Sequence, residues 1–96
     1  LEYVSVGEYL ALERDSLTKH EYLYGEIIDM SGAKPNHNRI ASHFFGLFFV
    51  AFTETKYEVF GSDQRVRVDE GGPFFYPDVV VAAPAPEFDE EYCLRN

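Results

Sequence analysis

The segment Phe74-Phe75-Tyr76-Pro77-Asp78-Val79-Val80-Val81 sets a proline and an aspartate at the mouth of an unbroken apolar run. Proline has a fixed φ and no amide donor, so within sheets it is confined to strand starts, edges and bulges. The run therefore predicts a core strand opening at Pro77, with Asp78 held rigidly where the sheet begins. Acidic side chains are depleted in strands and rarely buried alone, so Asp78 needs a hydrogen-bond donor, a cation or a metal close by. The bland alternative is a turn in which Asp78 only caps the bend, since Pro-Asp pairs are common turn formers.

A chain of 96 residues forms one modest core at most. Nine Phe, seven Tyr and 46% apolar residues give it a folding composition rather than a disordered one. The net charge of −9 excludes a broad electrostatic grip on nucleic acid or an anionic membrane, because such binding comes from massed Lys and Arg. Any nucleic-acid function must then rest on a local site helped by cations. Cys93 is the single cysteine, which excludes an internal disulfide and points to a reducing, cytoplasmic setting. No secretory signal is expected at Leu1-Glu2-Tyr3-Val4, and the apolar tract from Phe44 to Phe52 is too short to cross a bilayer.

Along the chain, Ser5 and Glu8 have the spacing of a capping box and predict a short helix. Two β-prone runs between Lys19 and Met30 meet at Tyr24-Gly25, a hairpin signature. After a loop over 31–35, Asn36 is expected to cap a second helix running to Ala51, whose wide apolar band predicts burial against a sheet. Strands follow at 57–60 and 64–68, the latter with Arg65 and Arg67 on one face and Val66 and Val68 on the other. Asp69 to Pro73 is a turn into the Pro-Asp strand, and residues 84–96, acidic and broken by Pro84 and Pro86, read as a surface tail or linker.

Three further polar residues are candidates to converge on Asp78. Glu26 sits at a strand entry, His37 lies in the first turn of the second helix beside its positive dipole end, and Asp63 precedes the Arg65 strand. Mg²⁺ is commonly held by one or two carboxylates with water, so Asp78 and Glu26 would suffice in kind. Equally, Glu26 could face solvent, His37 could simply bond at the helix start, and Arg65 and Arg67 fit a solvated sheet face as well as a phosphate clamp. His20, His43 and Cys93 sit in no recognised motif, and there is no zinc spacing, Walker loop or dinucleotide fingerprint.

Five ordered blocks, Ser5-Val6-x-Glu8-Tyr9-Leu10, Thr18-Lys19-His20-Glu21-Tyr22-Leu23-x-Gly25-Glu26-Ile27, His37-Asn38-Arg39-Ile40, Gly61-Ser62-Asp63-x-Arg65-Val66 and Tyr76-Pro77-Asp78-Val79-Val80-Val81, resemble the Uma-type family of the restriction-endonuclease-like PD-(D/E)XK superfamily. The resemblance runs over essentially the whole chain. It implies an α+β fold, a mixed β-sheet flanked by helices, with residues 1–96 as one domain and the first half of an endonuclease-like unit, incomplete on its C-terminal side. It implies Asp78 as the metal ligand, Glu26 as a second acidic contributor and His37 as the histidine opening the helix over the site. The implied activity is Mg²⁺- or Mn²⁺-dependent hydrolysis of nucleic acid, most simply DNA, in which the metal polarises the phosphate and acidifies the attacking water.

Such proteins continue into a strand bearing a second carboxylate and usually a lysine. Here Lys56 is the last lysine and only Arg95 is basic after Asp78, so no acidic-x-Lys element follows within these residues. The expectation is a first half that is not a competent nuclease alone and is marginal as a monomer. The alternative is a catalytically inactive interaction module that keeps the fold and dimerises as a homodimer through an unpaired sheet edge. A weaker third reading, a small-ligand domain, rests only on the aromatic supply, which more often forms a core.

Overall fold

The computed structural model describes residues 3–30, 32 and 34–95 of the chain. The first helix, α1 (Val6–Asp15), begins as expected: the Glu8 amide donates to Ser5 Oγ at 3.1 Å while the Ser5 amide donates to Glu8 Oε1 at 3.1 Å. The strands β1 (His20–Leu23) and β2 (Glu26–Asp29) then form the expected hairpin, with Tyr22 opposite Ile27 and Leu23 opposite Glu26. Tyr24 and Gly25 both take positive φ, 44° and 95°, which is what a two-residue hairpin turn demands and why a glycine stands second.

The remaining strands are short: β3 (Glu58–Phe60), β4 (Val66–Arg67), β5 (Phe74–Phe75), β6 (Val80–Ala82), β7 (Glu87–Phe88) and β8 (Leu94–Arg95). Six of them make a mixed sheet in the order β2-β1-β5-β4-β8-β7, in which only β4 and β8 run parallel. A separate antiparallel pair, β3-β6, sits beside the second helix, α2 (Pro35–Ala51). Two helices and a mixed sheet with a small second sheet make the fold α+β. No helix among the described residues is long and apolar enough to cross a membrane.

The core lies where α1 crosses the hairpin and β5. Tyr9, Tyr22 and Phe74 are fully buried and their ring centroids lie 5.0–5.8 Å apart. At these separations tilted and edge-to-face ring contacts are favourable beyond the area they bury. Both tyrosine hydroxyls find backbone acceptors, Tyr9 on the His20 carbonyl and Tyr22 on the Val4 carbonyl. Phe74 thus stitches the hairpin to the rest of the sheet through its pairing with Tyr22.

Several expectations are corrected here. The core strand expected to open at Pro77 begins only at Val80, as β6 in the smaller sheet, while Phe74 and Phe75 form a separate strand, β5, in the larger one. Pro77 has no amide to offer a ladder, and the Tyr76 amide donates to the Glu21 carboxylate at 3.1 Å instead, so pairing stops and the chain crosses between sheets. Likewise α2 is capped not by Asn36 but by Lys34, which makes no side-chain cap, so the helix opens at Pro35, two residues earlier than expected. Its expected burial is absent, for none of its residues is buried. The 64–68 strand shrinks to Val66–Arg67, with the Gln64 amide turned back onto the Gly61 carbonyl at 3.2 Å rather than joining a ladder.

Residues 84–96 differ most from the surface tail read in the sequence. Cys93 is fully buried, Leu94 nearly so, and β8 lies parallel to β4 with Val66 opposite Leu94. The acidic residues there are partners rather than solvated charges. Asp89 accepts from the Cys93 and Glu91 amides at 2.9 Å each and pairs with the Arg67 guanidinium at 2.9 Å. Burial alone would raise the Asp89 carboxyl, but Arg67 and the two amides outweigh it and hold it below the usual aspartate range. Ser31 and Ala33 of the expected 31–35 loop, and the terminal Leu1, Glu2 and Asn96, lie outside the described residues.

Candidate functional site

The crossing between the two sheets puts Asp78 in a bend two residues before β6, with its side chain 55% exposed. Opposite it is the first turn of α2, where His37 points its Nε2 at Asp78 Oδ2 across 3.1 Å and is itself 51% exposed. One structural break therefore serves the pair. The proline that stops the ladder leaves Asp78 outside both sheets, and Pro35 sets the helix start that delivers His37. A proton on His37 Nε2 donates to Asp78 Oδ2 and so fixes one oxygen of the carboxylate.

The other sequence candidates lie elsewhere. Glu26 opens β2 at the turn end of the hairpin, exposed, and among the described residues it contacts neither Asp78 nor His37. Asp63 pairs with Lys19 at 3.1 Å. Arg65 and Arg67 are not a free phosphate clamp. Arg65 spends its guanidinium on Cys93 Sγ at 2.9 Å, the Tyr76 hydroxyl at 3.2 Å and the Glu91 carbonyl at 2.9 Å, while Arg67 is held by Asp89 and the Glu70 carbonyl.

A buried polar cluster that the sequence did not single out ties these elements together. Glu13 on α1, 8% exposed, accepts from the Tyr76 hydroxyl at 2.6 Å and the His20 amide at 2.7 Å, and lies 2.9 Å from His20 Nδ1. His20 Nε2 reaches Asp29 at 3.1 Å on the opposite side. Burial pushes the Tyr76 hydroxyl up to about 12, with its bond to Glu13 acting the same way, and burial likewise raises the Cys93 thiol against the lowering effect of Arg65. A carboxylate four residues after Tyr9 shares that residue's inward helix face, and this was the available signal for Glu13. The cluster is fully satisfied, with no buried side-chain nitrogen or oxygen left without a partner among the described residues. Its members act as a clasp and leave no group free for chemistry.

Among the described residues no group of three or more His, Cys, Asp and Glu side chains is placed to hold a metal ion. The donor chemistry at Asp78 still fits a hard cation that keeps most of its water, since one carboxylate with solvent is a common Mg²⁺ environment.

Residues 6–94 match the Uma2 family, described as "Putative restriction endonuclease", and the chain belongs to that family. It is 38% identical to the uncharacterized protein sll1609 of Synechocystis sp. over 87 residues, 91% of this chain and 49% of the relative. It is 32% identical to the uncharacterized protein slr1290 of the same organism over 78 residues, 81% of this chain and 41% of the relative. The chain thus spans about half the length of the curated relatives it matches.

Proposed function

We propose that this chain carries part of the active centre of a metal-dependent endonuclease, with Asp78 as a ligand to Mg²⁺ or Mn²⁺ and His37 as the residue that positions Asp78. The observation that carries this reading is the exposed Asp78–His37 pair at 3.1 Å in the bend between the sheets. Family membership supports the substrate class, a nucleic acid and most simply DNA. The bound cation would supply Lewis acidity to a phosphate oxygen and a more acidic water. The chain's own contribution is narrower: Asp78 offers a fixed anionic oxygen, and His37 limits its rotation and remains close enough to exchange a proton with solvent.

Glu26 keeps a place in this reading only as an outlying acidic residue that meets the site when substrate or further polypeptide is present. The net charge of −9 supports a strict need for the cation, since phosphate cannot otherwise approach a carboxylate on so acidic a protein.

The test is Mn²⁺ titration and plasmid cleavage by the encoded protein and its Asp78→Ala variant. Loss of both cation binding and divalent-dependent nicking, with an unchanged circular dichroism spectrum, is expected. Unaltered Mn²⁺ affinity in the variant would remove Asp78 from the site.

A further inference from the structure

The free face of α2 is the largest feature that the nuclease reading leaves unused. Ile40, Phe44, Leu47 and Phe48 recur at helical spacing on one side and are 58%, 52%, 65% and 37% exposed. The adjoining side is occupied: Phe45 lies toward Gly61 at the end of β3, and Phe52 packs on Tyr57 at 5.5 Å. A contiguous apolar stripe of this kind marks an interaction surface rather than ordinary surface scatter.

We propose that this stripe is the contact between two copies of the chain, with the two α2 helices packed antiparallel about a twofold axis at Phe44. The sequence of the helix is self-complementary in that register. Phe44 meets its own copy, Ile40 faces Phe48, Ala41 faces Leu47, and Lys34 before the helix faces Glu54 after it. Each contact is made twice, as an isologous interface requires, and large side chains meet small or aliphatic ones where the ridges must interdigitate. The helix dipoles also run opposite ways, so the positive start of each helix, with Lys34, lies beside the negative end of the other, with Glu54.

Charge singles out a second copy over an anionic membrane as the occupant. The chain is strongly acidic, yet residues 30–53 contain no Asp or Glu, so two α2 faces meet without setting acid against acid. An anionic bilayer offers no partner for Glu54, whereas a second copy presents Lys34 to it at each end of the stripe.

Sedimentation velocity of the encoded protein across a wide concentration range tests this. A monomer–dimer equilibrium is expected, and Phe44→Glu should weaken it by roughly a hundredfold or more, because an unpaired carboxylate would be desolvated at the centre of the contact. Lys34→Glu alone should weaken the dimer about threefold in a salt-dependent way, and Lys34→Glu with Glu54→Lys should restore it. The restoration is a readout that general misfolding cannot imitate. A monomer at every concentration would overturn the proposal, and strong amide protection of α2 in such a monomer would assign its face to other polypeptide of the same protein. A dimer indifferent to both Phe44→Glu and the charge exchange would overturn it too.

Discussion

Around Tyr22 and around Phe44 the chain uses the same materials to opposite ends. Both regions are rich in aromatic residues. At the first, Tyr9, Tyr22 and Phe74 come from three different elements and are sealed at 0% exposure. At the second, Phe44 stacks on Phe48 and Phe45 on Phe49 along one helix, with ring centroids about one turn apart at 6.2 and 6.1 Å, and none of the four is buried. Stacking within a helix comes free with its geometry and removes little surface from water. Burial needs a second and a third element to arrive, and only the hairpin region has them. The Cα radius of gyration of 14.5 Å, against about 12.5 Å for a compact chain of this length, fits a helix standing away from the sheet.

The comparison breaks most visibly if large side chains are removed from each region in turn. Phe74→Ala should cost about 3–5 kcal/mol in urea unfolding, through lost transfer energy and the cavity left between Tyr9 and Tyr22. Phe44→Ala should change the stability of the monomer by less than about 1 kcal/mol, since its ring is already half in water. Equal losses at the two sites would mean that α2 is covered in solution even at high dilution.

Next in size is the clasp beneath the hairpin region. Glu13→Ala leaves the Tyr76 hydroxyl and the His20 amide without their acceptor and should cost about 1–3 kcal/mol, read by the same unfolding curves. A companion effect appears in alkali. Tyr76 has its folded value raised from 10.0 to about 12, so the neutral hydroxyl is favoured by the fold. Its contribution is fully present below pH 10 and is lost as pH rises through 10 to 12, where the unfolded chain releases the proton and the folded one does not. Tyr76→Phe should flatten the part of that decline due to this residue; an unchanged slope would show that Tyr76 is not sealed on Glu13. Smallest is Ser5→Ala, which removes the acceptor for the Glu8 amide and should cost about 1 kcal/mol, seen as a modest fall in helix content and midpoint.

Legibility in the sequence followed the range of the interactions. The capping box at Ser5 and Glu8 and the turn at Tyr24-Gly25 involve neighbours, and both are where the residues predicted them. The placement of α2 was legible to within two residues, but its surroundings were not, because an apolar stripe states that something should cover a helix without stating that it is present. At the candidate site, Asp78 and His37 were each visible as odd residues in their own segments. Glu26 looked equivalent to Asp78 by the same local logic, and only the crossing between sheets separated them. Glu13 was hidden for the converse reason: a carboxylate on a helix of ten residues reads as solvated until His20 and Tyr76 are found against it.

By itself the sequence determined the parts whose energy is local: one helix start, one two-residue turn, the break in pairing that Pro77 imposes, and the membership that places the chain among endonuclease-like proteins. The tertiary structure alone decided which charges are buried, that residues 87–95 complete a sheet, and that His37 meets Asp78 across 41 positions of chain. Those outcomes depend on pairs far apart in sequence. Strand partners and ion pairs of that kind exist only after the backbone has closed the loops between them, and no single segment carries the information of both ends.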